Sequence, residues 1–179
     1  MKAILGIVIG LSLWASPLQA AMSGGQVCFP PLEFVREVYP LTIQTSEYTA
    51  GEALGGAVEI QFSVTVAGRS GFLQQVQVLD KSSQNAPMTI WIFADVFTPT
   101  ADQAAFAVTD GEIQYCHATV DITADQYKTS ANNSVATSPR LALAIAPSGT
   151  IMRFQVEIEG TKTWPSANDL SIVLYWIPK

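Results

Sequence analysis

Apolar and polar residues alternate strictly along residues 58–66, where every second side chain is Val, Ile or Phe. A period of two is typical of a β-strand that buries one face and exposes the other. The same alternation returns in residues 151–159. The side chains it predicts to point inward are Met152, Phe154, Val156 and Ile158. Residues 170–177 are apolar almost throughout, which predicts a central strand covered on both faces.

The most distinctive part of the chain is residues 72–98, where two apolar runs flank the polar stretch KSSQNAP. The first run, residues 72–79, is half alternating, and the second, residues 88–97, is nearly all apolar. Ser, Asn and Pro between two such runs are typical of a turn. We therefore predict a β-hairpin at the centre of an antiparallel core, with its second strand paired to strands such as 170–177.

Stretches with the composition of loops separate the apolar runs, and we predict that these stretches connect the strands. Turn-forming residues dominate residues 48–56, 128–139 and 160–169. The tetrapeptide Thr-Ala-Asp-Gln occurs at residues 100–103 and 123–126, and its Thr-to-Gln spacing predicts a capping box that starts a short helical turn at each place. About eight short strands with such connections indicate an all-β fold, an antiparallel β-sandwich or jelly roll, with at most about two short helical turns.

The N-terminus has the three-part pattern of a secretory signal peptide. Lys2 precedes an apolar run, and residues 16–20 end in a small side chain. This pattern predicts cleavage after Ala20 or Ala21 and no stable membrane insertion of the product. The alternative is that residues 1–21 are a hydrophobic segment that stays in the protein.

Residues 22–40 are predicted to form an N-terminal arm. Its Phe-Pro-Pro sequence is extended, because each proline fixes its own φ and restricts the preceding residue. The second half of the arm is either an edge strand or a short helical turn that ends at Pro40. The β-sandwich domain is then expected to span residues 41–179.

Composition and charge narrow the range of partners. The chain of 179 residues is 49% hydrophobic and only 13% charged, against about 25% charged in an average soluble domain. Few charges in an apolar, Ser- and Thr-rich chain are common in all-β proteins of assemblies or of the cell exterior. A net charge of −6 argues against nucleic acid as a partner, because such proteins need a basic face.

The chemistry-bearing residues do not form a catalytic set. His117 is the only histidine, and it follows Cys116 in a predicted strand, where neighbouring side chains point to opposite faces. No second pair of ligands completes a zinc site. The acidic pairs considered are Asp80 with Asp95 and Asp121 with Asp125. Turns and caps explain these carboxylates without a glycosidase or calcium role. We predict no enzyme activity, no cofactor and no catalytic or metal site.

The two cysteines, Cys28 and Cys116, are candidate partners in a disulfide if the protein is exported. A bridge over so long a loop would stabilise the fold by about 4–5 kcal/mol in the chain-entropy model. Sequence does not decide whether the two thiols meet.

One aromatic residue is a candidate ligand contact. Trp91 and Trp176 lie in apolar runs and are expected in the core or an interface. Trp164 lies in a polar stretch before Pro165, so it is the candidate exposed binding aromatic, for example for a glycan.

The stretches TSEYTAGEALGG (residues 45–56) and QVLDKSSQNAPMTIWIFADVFTPTADQAAFAVTD (residues 77–110), followed by an apolar closing strand, resemble small structural proteins of tailed phages and prophages. The resemblance covers residues 41–179 and rests on turn patterns more than on chemistry. It implies a virion-associated β-sandwich, such as a capsid decoration or head-surface protein, with no catalytic residues. A signal-like N-terminus departs from that group, whose members assemble in the cytoplasm.

The sequence therefore predicts a non-enzymatic assembly protein of phage or prophage type that acts through protein–protein contacts. The expected partners are other copies, for example in a trimer, or capsid proteins. The alternative is an exported bacterial binding module for a glycan or surface partner. The expected location is the virion, or the periplasm or medium if the signal is used. Binding surfaces are predicted in residues 128–139 and 160–169 or on the arm.

Overall fold

The computed structural model describes residues 34–60, 71–95, 97–145 and 152–178. These ranges form ten β-strands and two short 3-10 turns, Ile113–Tyr115 and Ala124–Gln126. The strands are β1 (Val35–Pro40), β2 (Ala53–Ile60), β3 (Gly71–Asp80), β4 (Met88–Phe93), β5 (Cys116–Ile122), β6 (Tyr127–Ser130), β7 (Asn133–Thr137), β8 (Leu143–Ile145), β9 (Met152–Ile158) and β10 (Leu170–Pro178). The predicted all-β class, with only short helical turns, is confirmed.

The described strands belong to two antiparallel sheets. One is six-stranded, in the order β1-β10-β3-β7-β6, with β8 pairing with β3 as well. The other is four-stranded, in the order β2-β9-β4-β5. Because β10 lies between β1 and β3, the predicted central position of the last apolar run is confirmed. The inward set predicted on β9 is also confirmed, since Met152, Phe154, Val156 and Ile158 are all buried.

A single hydrophobic cluster fills the space between the sheets. It takes alternate side chains from strands of both sheets, such as Val76 and Ile172 from the six-stranded sheet and Ile90 and Phe154 from the four-stranded one. An edge-to-face contact between the rings of Tyr39 and Phe154, with centroids 5.6 Å apart, joins β1 to β9 directly. Removing this apolar surface from water is the main force that holds the two sheets together.

The predicted hairpin at residues 72–98 is wrong. Both of its apolar runs are strands, but β3 pairs with β10, β7 and β8, whereas β4 pairs with β5 and β9. The second run is therefore not paired with the last strand either. The polar connection carries the chain from one sheet to the other, so each strand obtains neighbours on both sides.

Asp80 explains why the connection forms a corner and not a tight hairpin turn. Its carboxylate accepts hydrogen bonds from the backbone N–H groups of Ser82 and Asn85, each at 3.0 Å. Asn85 has a φ of 52°, and such left-handed conformations redirect the chain. Beyond it, the Tyr127 hydroxyl donates to the carbonyl oxygen of Ala86 at 2.8 Å and fixes the start of the next strand.

Two stretches predicted as loops contain strands. Within residues 48–56, β2 begins at Ala53, and its ladder with β9 shifts register between Leu54 and Val58. Gly55 lies in this irregularity with a φ of +72°, so the glycine allows a bulge inside a strand. The alternating run of residues 58–66 is confirmed only for residues 58–60, since residues 61–70 lie outside the described part.

The second such stretch, residues 128–139, forms most of the β6–β7 hairpin. Ala131, with a φ of 53°, lies in its turn. The inward side chains of β7 are only Ser134 and Ala136, and both are buried. Because small and polar residues occupy a covered face here, the composition is that of a loop although the structure is a sheet.

The N-terminal boundary lies earlier than predicted. β1 pairs along its whole length with β10, so residues 35–40 belong to the six-stranded sheet and not to a separate arm. The edge-strand alternative for this part of the chain is confirmed. The predicted signal segment, residues 1–21, and the first part of the arm lie outside the described residues.

The repeated tetrapeptide adopts two different structures. At Thr123–Gln126 the predicted capping box is present and a 3-10 turn follows. At residues 100–103 the predicted helical turn is wrong, because the side chains of Asp102 and Gln103 bind distant parts of the chain. Gln103 donates to the Ser46 hydroxyl at 2.6 Å. Asp102 accepts from the Tyr48 hydroxyl and the Gly55 N–H, each at 2.7 Å. Tertiary hydrogen bonds therefore override the local capping preference.

Candidate interaction surface

The outer faces of the two sheets differ in what covers them. Residues 97–112, which we call the covering segment, lie across the outer face of the four-stranded sheet. The backbone of Thr100 exchanges two hydrogen bonds with the side-chain amide of Gln155, which is fully buried. Phe97 stacks on Phe93, with ring centroids 3.9 Å apart. These contacts explain why Gln155, which alternates with the inward side chains of β9, is nevertheless inaccessible.

Glu112 holds the two ends of the covering segment together. One carboxylate oxygen accepts from the Thr98 N–H at 2.6 Å, and the other accepts from the Thr109 hydroxyl at 2.7 Å. These hydrogen bonds favour the ionised form, and they lower the pKa of Glu112 to about 2.

We expect Glu112→Gln to reduce the acid sensitivity of the fold. A carboxylate whose folded pKa lies below its unfolded value of 4.5 contributes stability above pH 4.5, and this contribution is lost as the pH falls towards 2. The melting temperature of the Gln variant should therefore fall less than that of the wild type over this window. Thermal unfolding followed by circular dichroism as a function of pH tests this, and parallel curves would contradict the role given to Glu112.

The outer face of the six-stranded sheet, which we call the front face, exposes large apolar side chains, although its centre at Val173 is buried. Alternation assigns its members, because Val76, Val78 and Ile172 point into the core. The structure has six large hydrophobic side chains that are substantially exposed among the described residues. Four of them lie on or beside the front face, namely Phe34 (58% exposed), Val38 (42%), Phe72 (42%) and Val135 (36%).

A row of hydrogen-bonded side chains crosses four strands of the front face. The Arg36 Nε donates to the Tyr175 hydroxyl at 3.1 Å, and that hydroxyl donates to the Gln77 Oε1 at 3.2 Å. Gln77 in turn donates from its Nε2 to the Thr137 hydroxyl at 3.3 Å. The Arg36 guanidinium also lies over the Tyr175 ring, 6.0 Å from its centroid. These contacts hold long side chains in one conformation before any partner binds, which lowers the entropic cost of binding.

An open cleft of about 340 Å³ lies at one end of this row. Its lining consists of Phe34, Gln74, Gln75, Arg140 and Tyr175. The Arg140 Nε donates to the Gln74 Oε1 at 3.1 Å, so the cleft wall is also ordered by hydrogen bonds. The front face thus combines exposed apolar side chains, ordered amides and a recess, the composition of a protein interaction site.

Charge separates the two outer faces. The front face carries Arg36 and Lys128 on its strands and Arg140 beside them, and no carboxylate among its described outward-pointing strand residues. The outer face of the four-stranded sheet, which we call the back face, is acidic. Its outward carboxylates among the described residues are Glu59, Asp121, Glu157 and Glu159. Arg153, the outward cation of its described strand residues, is paired with Glu59 at 2.6 Å.

Trp164 is not an exposed binding aromatic, so that prediction is wrong. Its side chain is 0% exposed and belongs to the hydrophobic cluster. Its ring meets the Tyr48 ring edge to face, with centroids 5.7 Å apart. The backbone pairing of Tyr48 with Lys162 brings the two aromatic residues together across a long separation in sequence. The polar neighbours of Trp164, such as Thr163, are exposed to solvent, whereas the indole packs in the hydrophobic cluster.

The remaining candidate residues do not form a reactive group. The Cys116 thiol lies 3.8 Å from the Ala118 carbonyl oxygen, and burial raises its pKa. The His117 Nε2 lies 2.5 Å from the Ala144 carbonyl oxygen, so the two neighbouring side chains have separate contacts, as alternation predicts. Cys28 lies outside the described residues, and its pairing with Cys116 stays a prediction.

Among the predicted acidic pairs, the described contacts are structural. Asp80 forms the corner before β4, and Asp121 accepts from the Thr89 hydroxyl at 3.0 Å. Asp125 belongs to the second 3-10 turn, where the Thr123 hydroxyl donates to it and lowers its pKa. In the described ranges, no group of three or more His, Cys, Asp or Glu side chains is placed to hold a metal ion. The described residues contain no helix long and apolar enough to span a membrane.

The front-face residues were not singled out from the sequence, except that the arm and residues 128–139 were named as binding regions. Residues 34–40 and 127–137 do contribute Val38 and Val135 to this face. Gln75 and Gln77 alternate with buried valines and carry no local signal of function. Only the registers of β1, β10, β3 and β7 bring them beside Arg36 and Tyr175.

Comparisons with known proteins add little to this description. No protein family and no curated protein matches the sequence. Among solved structures, a chain from Desmodium yellow mottle tymovirus is similar at a TM-score of 0.26 and 10% sequence identity, over 100% of this chain and 96% of that chain. A TM-score of this size carries no argument about the fold or the function.

Proposed function

We propose that this protein is a non-enzymatic structural protein of a larger assembly, and that it docks through its front face onto another protein. The observation that carries the proposal is the contrast between the two sheets. A segment of the chain covers much of one outer face, whereas the other exposes Val38, Phe72 and Val135 around an ordered polar row. Exposed apolar residues grouped on one face are typical of protein interaction sites.

The sequence resemblance supports the finer form of this proposal, a virion component of phage or prophage type such as a decoration protein. The low charged fraction of 13% and the β-sandwich suit a protein that works in a packed lattice. Its expected location is then the particle, with capsid proteins or further copies as partners.

We expect Val38→Asp with Val135→Asp to release the protein from particles. Each new carboxylate would have to be desolvated when the front face is covered, which opposes docking. The tagged chain, expressed in cells that carry its neighbouring genes, should sediment with particles in a density gradient, and the double variant should stay in the upper fractions. Thr42→Asp with Thr163→Asp adds two carboxylates at exposed positions outside the strands and should sediment as the wild type does.

Two results would contradict this proposal. Either the wild-type chain stays in the upper fractions, or the front-face variant sediments with the particles in wild-type amounts. Circular dichroism of the purified variants checks that all of them keep the β-sheet signal.

The second candidate function is an exported binding module for a glycan. The cleft beside Phe34 and Tyr175 favours it, because an aromatic ring, two glutamine amides and an arginine can together contact a sugar's apolar face and hydroxyls. In this case the chain should appear in the periplasm or medium, cut after Ala20 or Ala21. Replacing Tyr175 by Ala should then abolish retention on immobilised glycans.

A further inference from the structure

We infer that the partner of the front face is a second copy of this chain, which presents its back face, so that copies associate front to back. This inference rests on the proposed function and adds the identity and orientation of the partner. It depends on the opposite charges of the two outer faces.

A front-to-front contact is disfavoured by charge. It would bring Arg36, Lys128 and Arg140 of one copy towards the same cations of the other, and no described outward-pointing carboxylate of the front strands would compensate them. Like charges across an interface oppose association, so that pairing is disfavoured. We therefore do not expect a symmetric dimer in which two front faces meet.

The back face carries exposed carboxylates, which the described strands of the front face lack. Asp121 on β5 and Glu159 after β9 are exposed, and Asp110 of the covering segment is exposed as well. Of the exposed large hydrophobic residues in the described ranges, two lie outside the front face, Ile113 (47%) and Tyr115 (38%), in the 3-10 turn that leads into β5. The exposed carboxylates of this side match the cations of the other, and Ile113 and Tyr115 follow Asp110 closely along the chain.

The contact between two different faces has a structural consequence. A front-to-back interface uses one surface of each copy and leaves the other free, so association continues until a ring closes or a filament forms. Both outcomes repeat one contact many times, and this suits a component of a lattice.

A back-face variant with an untouched front face tests the inference. We expect Asp110→Lys with Asp121→Lys to weaken self-association at least about tenfold, because the approaching front face is cationic. The wild-type chain should form ring- or filament-sized species that dissociate as the salt concentration rises. Sedimentation velocity of the purified full-length proteins over a range of concentrations measures both effects.

Mixing gives the decisive readout. The back-face variant has an intact front face, and the Val38→Asp, Val135→Asp variant has an intact back face. Each should be monomeric alone, and the mixture should form a complex of equal stoichiometry through the one remaining wild-type contact. A symmetric contact predicts instead that the back-face variant alone associates as the wild type does.

The result that overturns this inference differs from the one that overturns the proposed function. Wild-type association by the back-face variant, no complex in the mixture, or a wild-type chain that is monomeric at every concentration would each reject front-to-back association. None of them affects docking of the front face on a different lattice protein, which only the particle gradient decides.

Discussion

Replacement of Trp164 by Ala is expected to lower the free energy of unfolding by about 3–5 kcal/mol, as truncation of a large buried aromatic residue usually does. The side chain is fully buried against Tyr48, so its removal leaves a cavity that the surrounding strands can fill only in part. Equilibrium unfolding in urea measures the effect as a lower midpoint at an unchanged slope.

Trp164→Phe is the matched control. It keeps an aromatic ring in the same place and removes an indole N–H that has no hydrogen-bond acceptor in the described part of the chain. Its cost should be well below that of the Ala variant, because less volume is lost and no polar group loses a partner. If Trp164→Ala instead unfolds within about 0.5 kcal/mol of the wild type, as an exposed residue would, the assignment of Trp164 to the core is wrong.

Tyr48 is the other half of this contact, and it links the core to the covering segment. Its hydroxyl donates to Asp102 at 2.7 Å and accepts from the Gln44 N–H at 2.7 Å. Burial and the hydrogen bond to Asp102 raise the pKa of the Tyr48 hydroxyl. The loss of Trp164 is therefore expected to loosen a hydrogen-bonded group as well as the apolar packing.

The local hydrophobic pattern predicted strands correctly where the buried face of the strand carries large apolar side chains. β9 alternates Met, Phe, Val and Ile with polar residues, and β10 is nearly all apolar, and both were recognised. β7 was missed, since its covered positions hold only Ser134 and Ala136, and side chains of that size leave no hydrophobic signal. β6 was missed because Tyr127 is its only buried residue, and one residue sets no period. The glycines of β2 had the same effect, because a bulge and a turn use the same residue type.

The local hydrophobic pattern did not predict which strands pair with each other. Two neighbouring apolar runs predict two strands, but whether they share a sheet depends on which other strands compete for their edges. Here β10 and β9, both far along the chain, take the places beside β3 and β4. The Thr-Ala-Asp-Gln repeat shows the same limit, since one copy caps a turn and the other bonds to Tyr48 and Ser46.

The candidate interaction surface is formed by strand pairing, so it could not be predicted from the sequence. Neither Arg36 nor Tyr175 is notable in sequence, and they become neighbours only in the β1–β10 ladder. Trp164 gave the opposite error, because its polar neighbours suggested exposure while its contact with Tyr48 is not visible locally. In this fold, the candidate interaction surface therefore follows from strand pairing and not from short motifs.

Replacement of Ile92 by Asp is expected to abolish the folded state. Ile92 is fully buried on β4, between Phe154 of β9 and Ala118 of β5. A carboxylate at this place would have no partner in an apolar environment, and a cost above about 4 kcal/mol is typical of such a change. Because whole domains are stable by only about 5–15 kcal/mol, most of the chain should be insoluble or unfolded.

Two control variants keep this prediction open to refutation. Ile92→Val preserves the apolar surface and should cost about 0.5–1.5 kcal/mol. Ser130→Asp places the same new charge on the exposed strand β6, where the effect should stay within about 0.5 kcal/mol. The soluble yield, the circular dichroism spectrum and the urea midpoint of the three variants are compared with the wild type. A soluble Ile92→Asp variant with a wild-type melting curve would show that β4 does not lie in the core, and the separation of the two outer faces would fail with it.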